Sequence, residues 1–193
     1  MGRIPILISL CLSVFLCNTF AQDKPAKEYF GPEMVVIGED MPDTFLEDTL
    51  KQKHRLRDLL DGERYMLVEF WDRYCSPCMK SLPELRALHE EYNDKLIVVS
   101  ISLDDYRLNF KSLTRKNNIT WHSLWDVEGF KGLFARYGQG GVPTFVLVTP
   151  EGKVEKVTAG YDVRGSTTCL RMTLLKDLLD YKDPKTATLS PHK

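Results

Sequence analysis

The chain has 193 residues, with 26 Lys or Arg against 27 Asp or Glu, for a formal net charge of -1. That balance, with both signs mixed along the chain, excludes the basic stripe that a nucleic-acid surface needs. The length suits one domain with a real hydrophobic core, and no internal repeat is visible.

The chain opens with "MGRIPILISLCLSVFLCNTFAQD". Arg3 precedes an apolar run from Ile4 to Cys17, and Thr19 and Ala21 hold the small-residue positions before Gln22. This is the layout of a secretory signal peptide over residues 1–21. The run is shorter than the about 20 apolar residues of a membrane span. Left uncleaved, it would serve as an N-terminal anchor, the one membrane association expected. Leu16 before Cys17 argues against lipidation, which usually follows a small residue. Export places the protein where disulfides persist. Cys11 and Cys17 leave with the signal. Cys75, Cys78 and Cys169 stay, too few for a disulfide scaffold and odd in number.

Residues 22–35 are polar, with Pro25, Gly31 and Pro32, and read as a lead-in. A globular domain is expected over 36–182. Its first elements are an edge strand or hairpin near Thr44–Leu46, a helical turn near Leu56–Leu60 and the strand Met66–Phe70. "MLVEF" is nearly all apolar, as a central strand covered on both faces should be. A helix follows over Ser76–Tyr92, with Leu82, Leu85 and Leu88 at helical spacing. Lys95–Leu103 is a second buried strand. Residues 104–118 read as a helix with Leu108, Phe110 and Leu113 inward, 119–126 as a short strand, and 127–138 as a weak helix interrupted by Gly129 and Gly132. "GVPTFVLVTPEGKVEKVTAGY" predicts a strand, a turn and a second strand. Residues 164–182 predict a closing helix capped near Ser166, with Cys169 as a buried inert thiol. Residues 183–193, with Pro184 and Pro191, read as a disordered tail. Strands alternating with helices imply a parallel core, and the last hairpin adds antiparallel strands. The expected class is α/β, a central mixed sheet with helices on both faces.

Within "EFWDRYCSPCMKSLPEL", Cys75 and Cys78 stand two residues apart where a strand turns into a helix. A zinc site usually takes four ligands, and no second cysteine pair or spaced histidine pair supplies the rest. A purely structural disulfide would close too small a loop to gain much. A redox couple has positive support. A thiolate at Cys75 would face unpaired backbone N–H groups and the positive end of the helix dipole, which lowers a thiol's pKa. Cys78, one turn later, is placed to close a disulfide. Pro77 fixes the turn without breaking the helix start. Cys75 then attacks and Cys78 resolves.

These residues carry a family resemblance. Trp71, Tyr74, Cys75, Ser76, Pro77 and Cys78 follow the strand–"W-x-x-W-C-x-x-C"–helix motif of the thioredoxin superfamily. Pro83 stands where many members have a helix-kinking proline, and "GGVPTF" matches the segment holding the family's cis-proline. The N-terminal signal, "IGEDMPDTF", "GERYMLVEFW" and an inserted βα unit around "VVSISLDDYRLNFKSL" narrow the likeness. Together they resemble the TlpA/ResA-like branch of exported bacterial thiol–disulfide oxidoreductases, over about residues 36–180. The resemblance implies a thioredoxin-like fold with an N-terminal hairpin extension. It implies a cis bond before Pro143, beside the disulfide, with Val142 free to pair its backbone with an incoming peptide. It also implies a client-facing rim of Trp71, Tyr74, Ser76 and Pro77 on one side and Val142, Pro143 and Thr144 on the other. Trp71 reads equally as a core aromatic, and Trp121 and Trp125 as packing residues.

Two departures stand out. Tyr74 replaces the tryptophan usual before the first cysteine. Ser81 occupies a position where some members of the branch carry glutamate. Glu69, six residues before Cys75 in an apolar strand, matches the buried acid through which thioredoxins exchange a proton with the second cysteine via water. The alternative is a strand-end glutamate in solvent, with Val68 and Phe70 facing the core.

The expected protein is an enzyme needing neither metal nor organic cofactor. It exchanges disulfides with cysteines of client proteins and takes or gives electrons through a redox partner protein. The resemblance favours a reductant, keeping client cysteines reduced for haem attachment or repair; the sequence leaves the direction open. The rivals are a peroxiredoxin-like peroxidase, whose "P-x-x-x-T-x-x-C" context is absent here, and a binding module that keeps the fold alone.

Overall fold

The structure is a computed structural model. It describes residues 34–137, 141–161, 170, 175 and 178, all within the unit Pro32–Lys193. The predicted signal peptide, most of the lead-in, Cys169, nearly all of the predicted closing helix and the tail lie outside the described residues. Among the described residues, no helix is long and apolar enough to cross a membrane.

The elements run β1 (Phe45–Asp48), β2 (Lys53–Arg55), a 3-10 turn at Leu56–Leu59, β3 (Tyr65–Trp71), α1 (Ser76–Glu91), β4 (Leu96–Ser102) and α2 (Arg107–Lys116). They continue with β5 (His122–Trp125), a 3-10 turn at Gly129–Lys131, α3 (Phe134–Tyr137), β6 (Thr144–Val148) and β7 (Val154–Ala159). The described strands form one sheet in the order β2-β1-β5-β4-β3-β6-β7. β3, β4 and β5 are parallel, while β1–β2, β1–β5, β3–β6 and β6–β7 pair antiparallel. This is the mixed sheet expected, with the N-terminal hairpin added beside β5.

The central strands alternate between two buried faces because successive side chains point to opposite sides of a sheet. Leu67 and Trp71 of β3, Leu96 and Val98 of β4 and Phe145 of β6 pack with Leu82, Leu85 and Leu88 of α1 and Phe110 of α2. Met66, Val68, Phe70, Ile97, Val99 and Ile101 turn the other way, toward Leu56, Phe134 and Tyr137. Burying a leucine of the α1 stripe contributes about 1.5–3 kcal/mol. Both faces of β3 are therefore covered, and the side chain at position 69 is fully buried.

Two local expectations need correction. Leu108 does not face inward: it is 80% exposed. The inner stripe of α2 is Phe110, the half-buried Leu113 and Thr114, and Leu108 falls on the opposite side of the helix. The segment 127–138 is not one weak helix. Gly129, at a positive φ of 56°, opens the 3-10 turn, and Gly132 (φ -81, ψ -132) ends it before the single turn of α3.

Candidate active site

Cys75 ends the connection from β3 and caps α1. Its backbone is extended (φ -81, ψ 90), and its sulfur accepts the Cys78 N–H at 3.1 Å. Pro77 lies in the first turn, where its missing N–H costs no helical bond. Cys75 and Cys78 are joined as a disulfide, with Cα atoms 5.2 Å apart. The two sulfurs are not equivalent. Cys75 keeps 6% of its surface exposed, whereas Cys78 keeps none. An incoming sulfur thus meets Cys75 first, with Ser76 and Pro77 exposed beside it.

Glu69 is fully buried. It shares a face of β3 with Leu67 and Trp71, the face that α1 covers. Each carboxylate oxygen has one hydroxyl donor: Ser81 of α1 donates to Oε1 at 3.0 Å, and Ser100 of β4 donates to Oε2 at 2.8 Å. Ser100 in turn accepts the Trp121 indole N–H at 2.9 Å. Ser81 also lies 2.8 Å from the carbonyl oxygen of Cys78. Burial pushes the Glu69 carboxyl up to about 7, and the two serines only partly offset it. A carboxyl so placed changes charge near neutral pH, one turn of helix behind the buried cysteine.

The loop between β3 and α1 is held by two aspartates. Asp72 Oδ1 accepts the Tyr74 N–H at 2.7 Å. Asp104, buried after β4, accepts the Arg73 N–H at 3.3 Å and the Ser102 hydroxyl at 2.8 Å. Burial raises the Asp104 pKa. The Arg73 guanidinium lies 4.0 Å from that carboxylate and 4.4 Å from the centre of the Tyr74 ring. Tyr74 is 80% exposed and forms an aromatic lip beside Cys75.

β6 runs antiparallel to β3 and pairs Thr144 with Phe70, so the start of β6 meets the end of β3 that leads to Cys75. The Val142–Pro143 bond is cis. Val142 is half-buried and packs against the cluster containing both cysteines. Two residues read as rim residues turn inward. Trp71 is a core aromatic, 1% exposed, in the same cluster as the disulfide. Thr144 is fully buried, and its hydroxyl donates to the Gly141 carbonyl at 2.7 Å, so it shapes the loop rather than facing a client.

Sequence reasoning missed Ser100, Arg73 and Asp104, and saw Ser81 only as a missing glutamate. A signal for Ser100 and Ser102 was present: they are the two polar interruptions of the apolar strand "LIVVSIS". Trp121 and Trp125, read as core or surface packing, are buried, and each indole has a specific acceptor, Ser100 Oγ and the Asp104 carbonyl. Among the described residues, no three His, Cys, Asp or Glu side chains gather as metal ligands.

A family model described as Thioredoxin-like matches residues 62–154. The thiol-disulfide oxidoreductase ResA of Geobacillus thermodenitrificans (strain NG80-2) is 26% identical over 127 residues, covering 65% of this chain and 71% of that protein. ResA of Bacillus cereus (strain ZK / E33L) is 28% identical over 159 residues, covering 80% and 85%. A solved thiol-disulfide oxidoreductase from Bacteroides fragilis NCTC 9343 superposes with a TM-score of 0.61 at 25% identity, covering 74% of this chain and 98% of that one. The chain thus has a thioredoxin-like fold and is similar to thiol–disulfide oxidoreductases of the ResA kind.

Proposed function

We propose that the protein is exported and reduces disulfides of client proteins. In the reduced enzyme, the Cys75 thiolate attacks a client disulfide, forms a mixed disulfide and releases one client thiol. Cys78 then gives its proton to Glu69 and attacks the Cys75 sulfur. The second client thiol leaves, and the enzyme retains the Cys75–Cys78 disulfide. Two electrons have passed to the client, and a dithiol partner protein restores the enzyme. The observation that carries this reading is the asymmetry of the pair: Cys75 keeps a little exposed surface at a helix N-terminus, while Cys78 is fully buried one turn before Ser81, which bonds the buried Glu69 carboxyl. The charge, apolar run and small residues of the N-terminus support export, with the bacterial periplasm as destination. The exposed Tyr74, Ser76 and Pro77 and the loop at Val142 and Pro143 form the surface offered to clients.

Trapping tests this directly. Cys78→Ser removes the resolving thiol, so mixed disulfides with client proteins should accumulate on Cys75. Cys75→Ser should trap few or none. Equal trapping by the two variants would overturn the division of roles. Direction is read from the reduction potential of the pair: about -250 mV or lower fits a reductant, and about -180 mV or higher an oxidase or isomerase.

A further inference from the structure

The Ser81 hydroxyl has one proton and two acceptors. Glu69 Oε1 lies 3.0 Å from its oxygen and the Cys78 carbonyl 2.8 Å. Glu69, Ser81 and Cys78 are all fully buried. A helical serine bonded to a carbonyl in the preceding turn is ordinary; a buried carboxyl competing for the same proton is not. Ser100, on the far side of Glu69, has no such choice. Its oxygen accepts the Trp121 N–H, its proton goes to Glu69 Oε2, and among the described residues it has no second acceptor.

The two serines must therefore respond differently when Glu69 takes up a proton. A proton on Oε2 would leave the Ser100 hydroxyl proton buried without an acceptor, a costly state. A proton on Oε1 is accommodated. Glu69 donates to Ser81 Oγ, and Ser81 turns its own proton to the Cys78 carbonyl. Every polar group then stays satisfied in both charge states.

We propose that Ser81 is a positioning residue for disulfide exchange: it directs the Glu69 proton onto Oε1, and its hydroxyl swings between Glu69 and the Cys78 carbonyl as Glu69 changes charge. The catalytic consequence rests on Glu69 being the proton acceptor of the proposed reaction. One proton joins Glu69 and one hydroxyl rotates; no electrons move in this step. Protonation adds a hydrogen bond to the turn carrying the resolving sulfur, and ionisation removes it. Few other charges act here. β4 and β6 carry no ionisable side chain, and β3 adds only Tyr65 at its far end. From α1, Cys78 is held in the disulfide, the buried Glu84 bonds the Tyr161 hydroxyl and the Leu170 N–H, and His89 packs against Trp121.

The test uses the oxidised full chain labelled with carbon-13, in which neither cysteine of the pair titrates. NMR follows the Glu69 carboxyl and the Cys78 carbonyl across the neutral range. In the wild type both should shift with one shared midpoint near 7. In Ser81→Ala the Glu69 midpoint should rise by roughly one unit, because its charged form has lost a donor, and the Cys78 carbonyl should stop following it. Ser81→Thr keeps the hydroxyl and should restore the shared midpoint. Ser100→Ala should raise the Glu69 midpoint yet leave the Cys78 response in place. A Cys78 carbonyl that is silent in the wild type, or that follows Glu69 unchanged in Ser81→Ala, means that Ser81 makes only an ordinary back-bond, and the proposal fails. Failure of the proton-acceptor reading is separate: it would show in the reduced enzyme as turnover unchanged by Glu69→Gln, whatever the NMR result.

Discussion

Glu69 and Ser100 are register partners on β3 and β4, and the Ser100 hydroxyl donates to Glu69 across the strand pair at 2.8 Å. The bond is what makes a carboxyl tolerable between Leu67 and Trp71, and it does not cancel the penalty of charging it there.

That residual penalty fixes the sign of a pH effect on stability. Below the ordinary value near 4.5, the carboxyl is protonated in the folded and unfolded chains alike. As pH rises toward about 7, the unfolded chain gives up the proton while the folded chain holds it, so stability falls until both are ionised. A gap of this size corresponds to roughly 3 kcal/mol. Urea unfolding of the oxidised protein from pH 5 to 8 should show the wild type losing stability relative to Glu69→Gln. Parallel curves for the two proteins would mean that the carboxyl does not titrate differently on folding.

The unequal burial of the two sulfurs predicts unequal reactivity. In the reduced protein at mildly acidic pH, an alkylating agent should label Cys75 first and reach Cys78 only later. Peptide mapping of the partly labelled protein decides the matter. Preferential label on Cys78 would reverse the assignment of attacking and resolving sulfurs.

Asp126 organises the chain after β5 with both carboxylate oxygens, accepting the Glu128 N–H at 3.0 Å and the Leu133 N–H at 2.8 Å. A Cβ at position 132 would fall on that buried carboxylate. Gly132→Ala should therefore cost about 1–3 kcal/mol in thermal or urea unfolding, as overpacking does. Labelling of Cys75 should be unaffected. Wild-type stability in this variant would show that the Asp126 turn yields without strain.

What the sequence made legible was local. The step from apolar strand to helix at Cys75, the proline in the first helical turn and the turn that joins β6 to β7 are each written within a few neighbouring residues. What it hid was register. Ser100 is 31 positions from Glu69, and nothing in a single sequence says that these two face each other across parallel strands. Trp71 read as well for the rim as for the core, because its fate depends on α1 folding back over the face it shares with Glu69. Leu108 was misjudged because residues two apart in a helix lie about 200° apart around it, so Leu108 and Phe110 of α2 do not share a face.

The role of Glu69 is tested most directly by the resolution step itself. A client peptide is loaded on Cys75 as a mixed disulfide, and its release by Cys78 is followed by stopped-flow tryptophan fluorescence from pH 5 to 9. In Glu69→Gln the release should slow by roughly 10–100-fold near neutral pH, less than the full range of general acid–base catalysis because Cys78 can still lose its proton to water. The inflection near 7 in the wild-type profile should disappear with it. An unchanged rate and an unchanged profile would contradict the mechanism: the buried carboxyl would then be a structural residue, and the proton of Cys78 would leave by another route.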